Sequence, residues 1–258
     1  MVKRSHLLLF FIVMVFVLGI AGFVLINPPY SPVQHKEPVY FKENFDAGFL
    51  DTNVWALTQE GDAKARVTDV FDVDPDEGKD YRLRLGLNTL GTRDDTVKFQ
   101  GVRSIRAINL SDGDEILFDV DWNNQSNGCY LTASFYLCPT ATDRNPEEED
   151  EWLKFEYIGV PPGYNARSVI ASKADGRLEY LYTNGWPDQR TGRPIGNQRI
   201  RILIHDGRIS VLENGSEVYK SEDPVVEFSS AFIYLQMSSH SNYPLREIYF
   251  DNVVAEFA

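Results

Sequence analysis

Apolar and polar residues alternate with a period of two through most of the sequence after residue 40. In residues 115–122, EILFDVDW, the apolar residues Ile116, Phe118 and Val120 alternate with Leu117, Asp119 and Asp121. Residues 199–205, RIRILIH, repeat the pattern with three isoleucines. Such alternation places one face of a β-strand on a hydrophobic core. Because no helical period follows residue 40, we predict an all-β body.

Short turn sequences separate the other strand candidates. Asp175-Gly176, Asp206-Gly207 and Asn214-Gly215 are pairs that supply the positive φ of tight hairpins. A chain of short strands joined in this way favours an antiparallel β-sandwich. The further strand candidates are residues 81–87, 102–109, 129–138, 152–158, 168–173, 178–183, 208–212, 232–238 and 247–257.

The first 26 residues contain a continuous apolar segment. Residues 7–26, LLLFFIVMVFVLGIAGFVLI, carry no charge, and Lys3 and Arg4 precede them. A helix of this length spans about 30 Å, the hydrocarbon thickness of a bilayer. The preceding cations predict a cytoplasmic N-terminus, residues 1–6, and an extracytoplasmic body. We predict an N-terminal transmembrane helix that acts as an uncleaved signal-anchor in a single-pass cell membrane protein; the alternative is a cleaved signal peptide.

The segment after the predicted anchor differs in composition from the body. Residues 27–39, NPPYSPVQHKEPV, contain four prolines and are predicted to form an extended linker. Residues 40–258 contain no internal linker and no repeat, so they are predicted to form one domain.

The body is strongly acidic. The chain carries a net charge of −13, and residues 1–39 contribute +2, which leaves −15 for residues 40–258. Such a surface repels phosphate backbones, so we predict no nucleic-acid partner. The densest acidic cluster, residues 147–151, is predicted to be a solvated loop between two strands, and cation binding is its alternative function.

Three phrases of the body resemble a known superfamily. The chain has Phe41-Lys-Glu-Asn-Phe45 near the start of the body, then LDTNVW at residues 50–55, and ends with IYFDNVV at residues 248–254. These phrases resemble the concanavalin A-like lectin/glucanase superfamily, which includes laminin G-like jelly rolls. Residues 199–219 are similar to a hairpin of that group. The resemblance implies a jelly-roll sandwich of two antiparallel sheets, with glycans bound or cleaved on a concave face.

The resemblance also defines what a catalytic site would require. Family 16 glycoside hydrolases of this superfamily carry E-x-D-x-E on one concave strand, and this motif is absent from the sequence. Retaining glycoside hydrolysis needs two carboxyl groups about 5 Å apart. The nearest candidates are Asp119 and Asp121 on one strand, with Glu156 on a neighbouring strand. The simpler interpretation is that both aspartates are solvated on an outer face.

A structural calcium ion is the cofactor that the resemblance implies. In several branches of the superfamily the aspartate of the closing strand binds it, and Asp251 matches that position. Backbone carbonyls near Glu43 and Gly86 are the further ligands expected from the resemblance. Calcium takes six to eight hard oxygen ligands, which carbonyls and water can complete. The alternative is that Asp251 is hydrogen-bonded or paired with a cation.

Exposed aromatic side chains are the expected glycan contacts, because their flat faces stack on the apolar faces of sugars. Trp186 lies in the turn sequence TNGWPDQR, and Tyr164 lies in PPGYN. Trp152, beside the acidic cluster, is the third candidate. Trp186 could instead pack within its own loop. Trp55 and Trp122 are predicted to belong to the core.

Together these features predict a membrane-anchored, extracytoplasmic carbohydrate-binding module that is not catalytic, with a glycan or surface polysaccharide as its partner. One alternative is a divergent glycoside hydrolase or polysaccharide lyase that uses carboxylates of the concave sheet. A second alternative is a structural or protein-adhesion domain. The sequence contains no G-x-S-x-G, H-E-x-x-H or P-loop motif that would indicate another enzyme class.

Overall fold

The computed structural model describes residues 41–93, 97–110, 113–121, 131–159, 167–185, 197–239 and 242–256. These residues belong to one compact unit, Pro38–Ala258. Their one helix is a short 3-10 turn, Pro146–Glu148. The strands are β1 (Phe41–Glu43), β2 (Trp55–Glu60), β3 (Ala65–Asp72), β4 (Tyr81–Asn88), β5 (Lys98–Ser104), β6 (Ile108–Asn109), β7 (Glu115–Asp121), β8 (Leu131–Cys138), β9 (Trp152–Gly159), β10 (Arg167–Ala174), β11 (Arg177–Gly185), β12 (Asn197–His205), β13 (Arg208–Glu213), β14 (Ser216–Lys220), β15 (Ser230–Ser239) and β16 (Arg246–Glu256).

The strands form two antiparallel sheets. Sheet I has the order β14-β13-β12-β7-β16-β4-β3, and β1 also pairs with β16. Sheet II has the order β11-β10-β9-β8-β15-β5-β2, and β6 also pairs with β15. One hydrophobic core contains side chains from both sheets. The predicted antiparallel β-sandwich is therefore confirmed.

The core consists of the alternating side chains that the sequence indicated. Ile116, Phe118 and Val120 of β7 are almost fully buried. The ring of Phe118 stacks on that of Phe135 from sheet II, with 4.3 Å between centroids. Trp55 is buried in the same core, as predicted. Trp122 lies outside the described residues.

The predicted hairpin turns have the backbone conformation that their residue pairs favour. Asp175, Asp206 and Asn214 have φ values of 49°, 50° and 51°, and the glycine after each is also positive. Two successive positive φ values produce the turn that matches the twist of antiparallel strands. These pairs therefore join β10 to β11, β12 to β13 and β13 to β14.

The strands that the sequence pattern missed lie at the ends of the chain and at the edges of the sheets. They are β1, β2, β3 and β14, and the predicted strand at 102–109 is divided between β5 and β6. In β3 most positions are half-buried, and β14 contains no buried residue. Edge strands bury little of either face, so their sequences show little alternation between apolar and polar residues.

No helix within the described ranges is both long and apolar enough to cross a membrane. The predicted anchor at residues 7–26 and the predicted linker at 27–39 lie outside those ranges. Both stay predictions from the sequence.

Candidate functional site

The three candidate catalytic carboxylates lie on opposite surfaces of the sandwich. Asp119 and Asp121 belong to β7 of sheet I, whereas Glu156 belongs to β9 of sheet II. Phe118 and Phe155, their neighbours along the two strands, point into the shared core. Because side chains alternate along a strand, the carboxylates point away from the core in opposite directions. The structure does not bring them into one site.

Asp119 is held by hydrogen bonds on the outer face of sheet I. Its side chain is 1% exposed. Arg199 donates to both carboxylate oxygens, at 2.8 and 2.9 Å, and Asn252 Nδ2 donates to Oδ2 at 2.9 Å. A two-point guanidinium–carboxylate pair is among the stronger polar contacts in proteins. Asp119 therefore joins β7, β12 and β16 to one another.

Asp121 belongs to a neighbouring group of charges on the same face. Arg82 Nη1 lies 3.8 Å from Asp121 Oδ2, and Arg82 Nη2 lies 2.6 Å from Asp80 Oδ2. Burial by itself would lower the pKa of Arg82, but the surrounding carboxylates of Asp80, Asp121 and Asp251 outweigh it and raise the pKa. Asp121 is thus part of an ion-pair network rather than an isolated carboxylate.

Strand β9 presents a different set of side chains on the outer face of sheet II. Trp152, Lys154 and Glu156 alternate there with the core residues Leu153 and Phe155. Only the last position of the three carries a carboxylate.

Lys154 links two carboxylates on this face. Its Nζ lies 2.6 Å from Glu147 Oε1 and 3.3 Å from Glu156 Oε1. Burial alone would lower the pKa of Lys154, but attraction to Glu156 and Glu147 outweighs it and raises the pKa. Tyr136 Oη donates to Glu147 at 2.9 Å, and Ser134 Oγ donates to Glu156 at 2.7 Å. Both carboxylates are therefore fixed by groups of the protein itself.

The connection between β8 and β9, residues 139–151, folds over the outer face of sheet II, and we call it the covering loop. Tyr234 Oη accepts from Thr142 N at 2.8 Å and donates to Thr140 O at 2.7 Å. Arg103 Nε donates to Thr142 O at 3.2 Å. The acidic cluster lies between two strands as predicted, but Glu147 contacts the sheet and anchors the loop.

A row of polar side chains crosses sheet II beside the covered area. Strand register places Glu156, Ser134, Gln236 and Thr58 in line, with Gly101 between the last two. All four polar side chains are buried. Gln236 Oε1 and Thr58 Oγ1 have no hydrogen-bond partner in the described part of the chain. The row can hydrogen-bond a ligand only if the residues that bury it move.

Of the three aromatic residues predicted to contact glycan, the structure describes one, Trp152. Trp152 is 2% exposed and belongs to an apolar cluster with Tyr136 and Tyr234. Trp186 and Tyr164 lie outside the described residues. Trp186 follows the last residue of β11, and Tyr164 lies in the connection from β9 to β10. The register of β9, β10 and β11 places those strand ends side by side.

Tyr180 is an exposed aromatic side chain that the sequence analysis missed. It lies on β11, the edge strand of sheet II, and is 66% exposed. Leu178, two residues earlier, is 51% exposed. The signal available in the sequence was Tyr180 within the strand predicted at residues 178–183. Its meaning depends on the neighbouring strands, which only the fold supplies.

The residues predicted to bind calcium are not adjacent. Gly86 pairs with Glu247, four residues before Asp251 along β16, which corresponds to about 13 Å. Glu43 pairs with Val253, and its carboxylate accepts from the backbone N–H of Phe45 at 2.8 Å. Within the described ranges, no cluster of three or more histidine, cysteine, aspartate or glutamate side chains is arranged to hold a metal ion.

Among the residues that the structure describes, Asp251 has no direct cationic partner. Burial raises the pKa of Asp251 to about 7, and the negative charges of Asp119 and Asp80 add to the effect, while the N–H of Asn252 and the charge of Arg82 oppose it. Asn252 N donates to Asp251 Oδ1 at 2.7 Å. Asp119 and Asp251 are direct cross-strand neighbours, so their negative charges repel each other. A cation near the two carboxylates would reduce this repulsion.

Comparison with known proteins supports the fold. No family model matches the sequence, and neither does any curated protein. A β-glucanase of Bacillus licheniformis is 11% identical, with 85% of this chain and 98% of that chain covered and a TM-score of 0.55. An endo-acting O-glycanase of the human gut microbiota is 16% identical, with 84% and 98% covered and a TM-score of 0.54. The T. cruzi calreticulin globular domain is 14% identical, with 83% and 86% covered and a TM-score of 0.51. These likenesses establish the jelly-roll fold.

Proposed function

We propose that the protein is a membrane-anchored, extracytoplasmic module that binds carbohydrate without cleaving it. The observation that carries the non-catalytic part is the position of Lys154 between Glu147 and Glu156. Glycoside hydrolysis needs one carboxyl group to donate a proton and a second to act as nucleophile or base. The ammonium group of Lys154 lies between the two carboxylates and contacts both, so neither carboxylate is placed to protonate a substrate oxygen.

The carbohydrate part of the proposal rests on the fold and on exposed aromatic residues. Two of the structurally similar proteins are named as a β-glucanase and an O-glycanase. Tyr180 supplies an exposed ring on the outer face of sheet II, and Trp186 and Tyr164 are the further contacts predicted from the sequence. Aromatic faces of this kind bind the apolar faces of sugar rings, and neighbouring polar groups orient the hydroxyls.

The cellular location is proposed from the sequence alone. Residues 7–26 would span the bilayer, with Lys3 and Arg4 on the cytoplasmic side. Residues 27–39 would hold the domain away from the surface. The acidic body would be repelled by anionic lipid headgroups, which favours a polymer rather than the membrane as its ligand.

A bound calcium ion at Asp251 is part of the proposal. Burial and the nearby charges of Asp119 and Asp80 raise the pKa of Asp251 to about 7, and a bound cation would stabilise its ionised form. Backbone carbonyls of the adjoining strands and water would supply the further oxygens, because both oxygens of Asp119 accept hydrogen bonds from Arg199 and Asn252. If calcium binds there, millimolar CaCl₂ will raise the melting temperature of the protein, and the increase will be absent in Asp251→Asn. An equal increase in both proteins would contradict this site.

The test of the proposed function is a binding assay on immobilised β-glucan and mucin, with and without calcium, in which new reducing ends are measured in the same wells. Binding without new reducing ends, weakened in Trp186→Ala, is the expected result. New reducing ends that disappear in Glu156→Gln would favour a hydrolase instead. Absence of binding to both polymers and to a wider glycan array would favour the protein-adhesion alternative.

A further inference from the structure

We infer that the glycan lies along the edge strand β11, on Tyr180 and Leu178, rather than across the centre of sheet II. This inference rests on the proposed carbohydrate-binding function and gives that function a location. The ligand class is a polysaccharide of pyranose rings with an apolar C–H face. The binding surface, which we call the β11 platform, consists of the exposed side chains of Tyr180 and Leu178.

The centre of sheet II is closed to a polymer. The covering loop is attached there through Tyr234, which bonds the backbone of Thr140 and Thr142. Glu147 of the loop also contacts Lys154 and the hydroxyl group of Tyr136. The adjacent polar row, Glu156 to Thr58, is buried. A sugar chain would have to displace these contacts before it could cross the sheet.

The β11 platform, in contrast, is open. Register places Tyr180 opposite Ala171 and Leu178 opposite Lys173 on β10. Ala171 is fully buried and Lys173 Nζ donates to Glu147 O of the covering loop at 3.1 Å, so of these four residues Tyr180 and Leu178 are the exposed ones. Residues two apart on a strand lie about 6.6 Å from each other on the same face. Tyr180 and Leu178 therefore form a short apolar strip that follows the strand direction.

The opposite face of β11 keeps the strand in place. Leu181 and Tyr182 pack against the core. The ring of Tyr182 lies 6.1 Å from that of Tyr219 on β14, across the gap between the sheets. The β11 platform is thus part of a packed strand, so ordering it on binding would cost little conformational entropy.

The dimensions of the β11 platform favour a sugar over a protein partner. Two side chains of this type can bury on the order of 200–300 Å². A stable protein interface buries about 800 Å² on each partner, usually around several anchors. One or two pyranose rings match the smaller area.

Other exposed aromatics in the described part of the chain are less suited to stacking. The guanidinium of Arg84 lies 4.2 Å from the ring centroid of Phe71, and Tyr249 packs beside it. Phe49 is 61% exposed but lies in the turn after β1, outside either sheet. Tyr180 has no ring contact, cation contact or hydrogen bond within the described residues, and 66% of it is exposed.

The experiment measures the affinity of full-length protein for soluble β-glucan and mucin by the change in intrinsic fluorescence. Tyr180→Ala is expected to weaken binding about tenfold or more, the effect of losing one anchor residue. Tyr180→Phe retains the ring and is expected to bind as the wild type does. Phe49→Ala, the matched loss of an exposed aromatic ring, is also expected to leave binding unchanged.

The outcomes separate this inference from the proposed function. If the wild type binds and Tyr180→Ala binds equally well, the β11 platform is not the site, although the carbohydrate function stands. If the wild type binds neither polymer nor any array glycan, the proposed function fails and the inference fails with it. Equal melting temperatures of the variants would show that a loss of binding does not arise from unfolding.

Discussion

At the scale of single residues, Lys154 has two effects. It neutralises two carboxylates, and it fills a buried position on the outer face of sheet II, where its side chain is 8% exposed. Two partners offset the cost of burying its charge. Without Lys154, the equally buried Glu156 would have no cationic partner among the contacts described for it.

The first prediction is that Lys154→Met strongly destabilises the protein. Removing one partner of a buried ion pair typically costs about 3–5 kcal/mol, because the remaining charge is left uncompensated. The free energy of unfolding in urea measures the effect. Lys220→Met, at an exposed position of β14, is the control and should change stability by less than about 0.5 kcal/mol. A loss below about 1 kcal/mol for Lys154→Met would show that Glu147 and Glu156 do not need the cation.

The second prediction concerns the dependence of stability on pH. The pKa of Asp251 is raised from 3.8 to about 7 in the folded protein, so the native state binds this proton more tightly than the unfolded state. Stability arising from this group is therefore present at low pH and is lost as pH rises through about 7. Partial exposure of Asp251 reduces the size of the effect.

Asp251→Asn should thus become more stable relative to the wild type as pH increases from 5 to 8. Melting temperatures of the two proteins in EDTA buffers at several pH values give this difference directly. EDTA is needed because a bound cation would hold the carboxylate in its charged form. A difference that is constant with pH would mean that Asp251 titrates alike in the folded and unfolded states.

At the scale of secondary-structure elements, the covering loop is the feature that distinguishes sheet II from an open binding face. The hydroxyl of Tyr234 provides two of the hydrogen bonds that attach the loop, beside those from Arg103, Tyr136 and Lys154. The third prediction is that Tyr234→Phe destabilises the protein by about 1–3 kcal/mol, because Thr142 N–H and Thr140 C=O lose their partner.

Hydrogen exchange of the Thr142 amide would identify the origin of this loss. Exchange should become faster in Tyr234→Phe while the amides of β8 and β15 keep their protection. Tyr180→Phe removes a hydroxyl from an exposed tyrosine and serves as the control, with unchanged exchange and stability. Unaltered exchange at Thr142 in Tyr234→Phe would show that other contacts hold the loop.

The elements differ in how far the sequence alone predicts them. Alternation located strands such as β7 and β12 because one face of each is buried. It also placed Asp119 and Asp121 on the outer face of β7. It did not reveal β3 or β14, since edge strands lack that contrast. The loop–sheet contact could not be predicted either, because Thr142 and Tyr234 are distant in sequence and meet only after folding.

At the scale of the whole molecule, the chain is divided into an apolar N-terminal segment and an acidic body. The fourth prediction is that full-length protein stays in the membrane fraction after extraction with alkaline carbonate, because residues 7–26 carry no charge and suit a bilayer. A variant that lacks residues 1–26 should be released. Extraction of the full-length protein into the supernatant would contradict a membrane-spanning anchor.

The two ends of the domain also meet. Phe41 of β1 pairs with Ala255 of β16, so the first and last strands are neighbours about 5 Å apart. A domain with adjacent ends can be inserted into a surface loop of a host protein without forcing that loop apart. Joining its ends through a few glycines and opening the Asp206-Gly207 turn would give a circular permutant that interrupts the β12–β13 hairpin connection and the hydrogen bonds that Val225 N and Val226 N donate to Gly207 O.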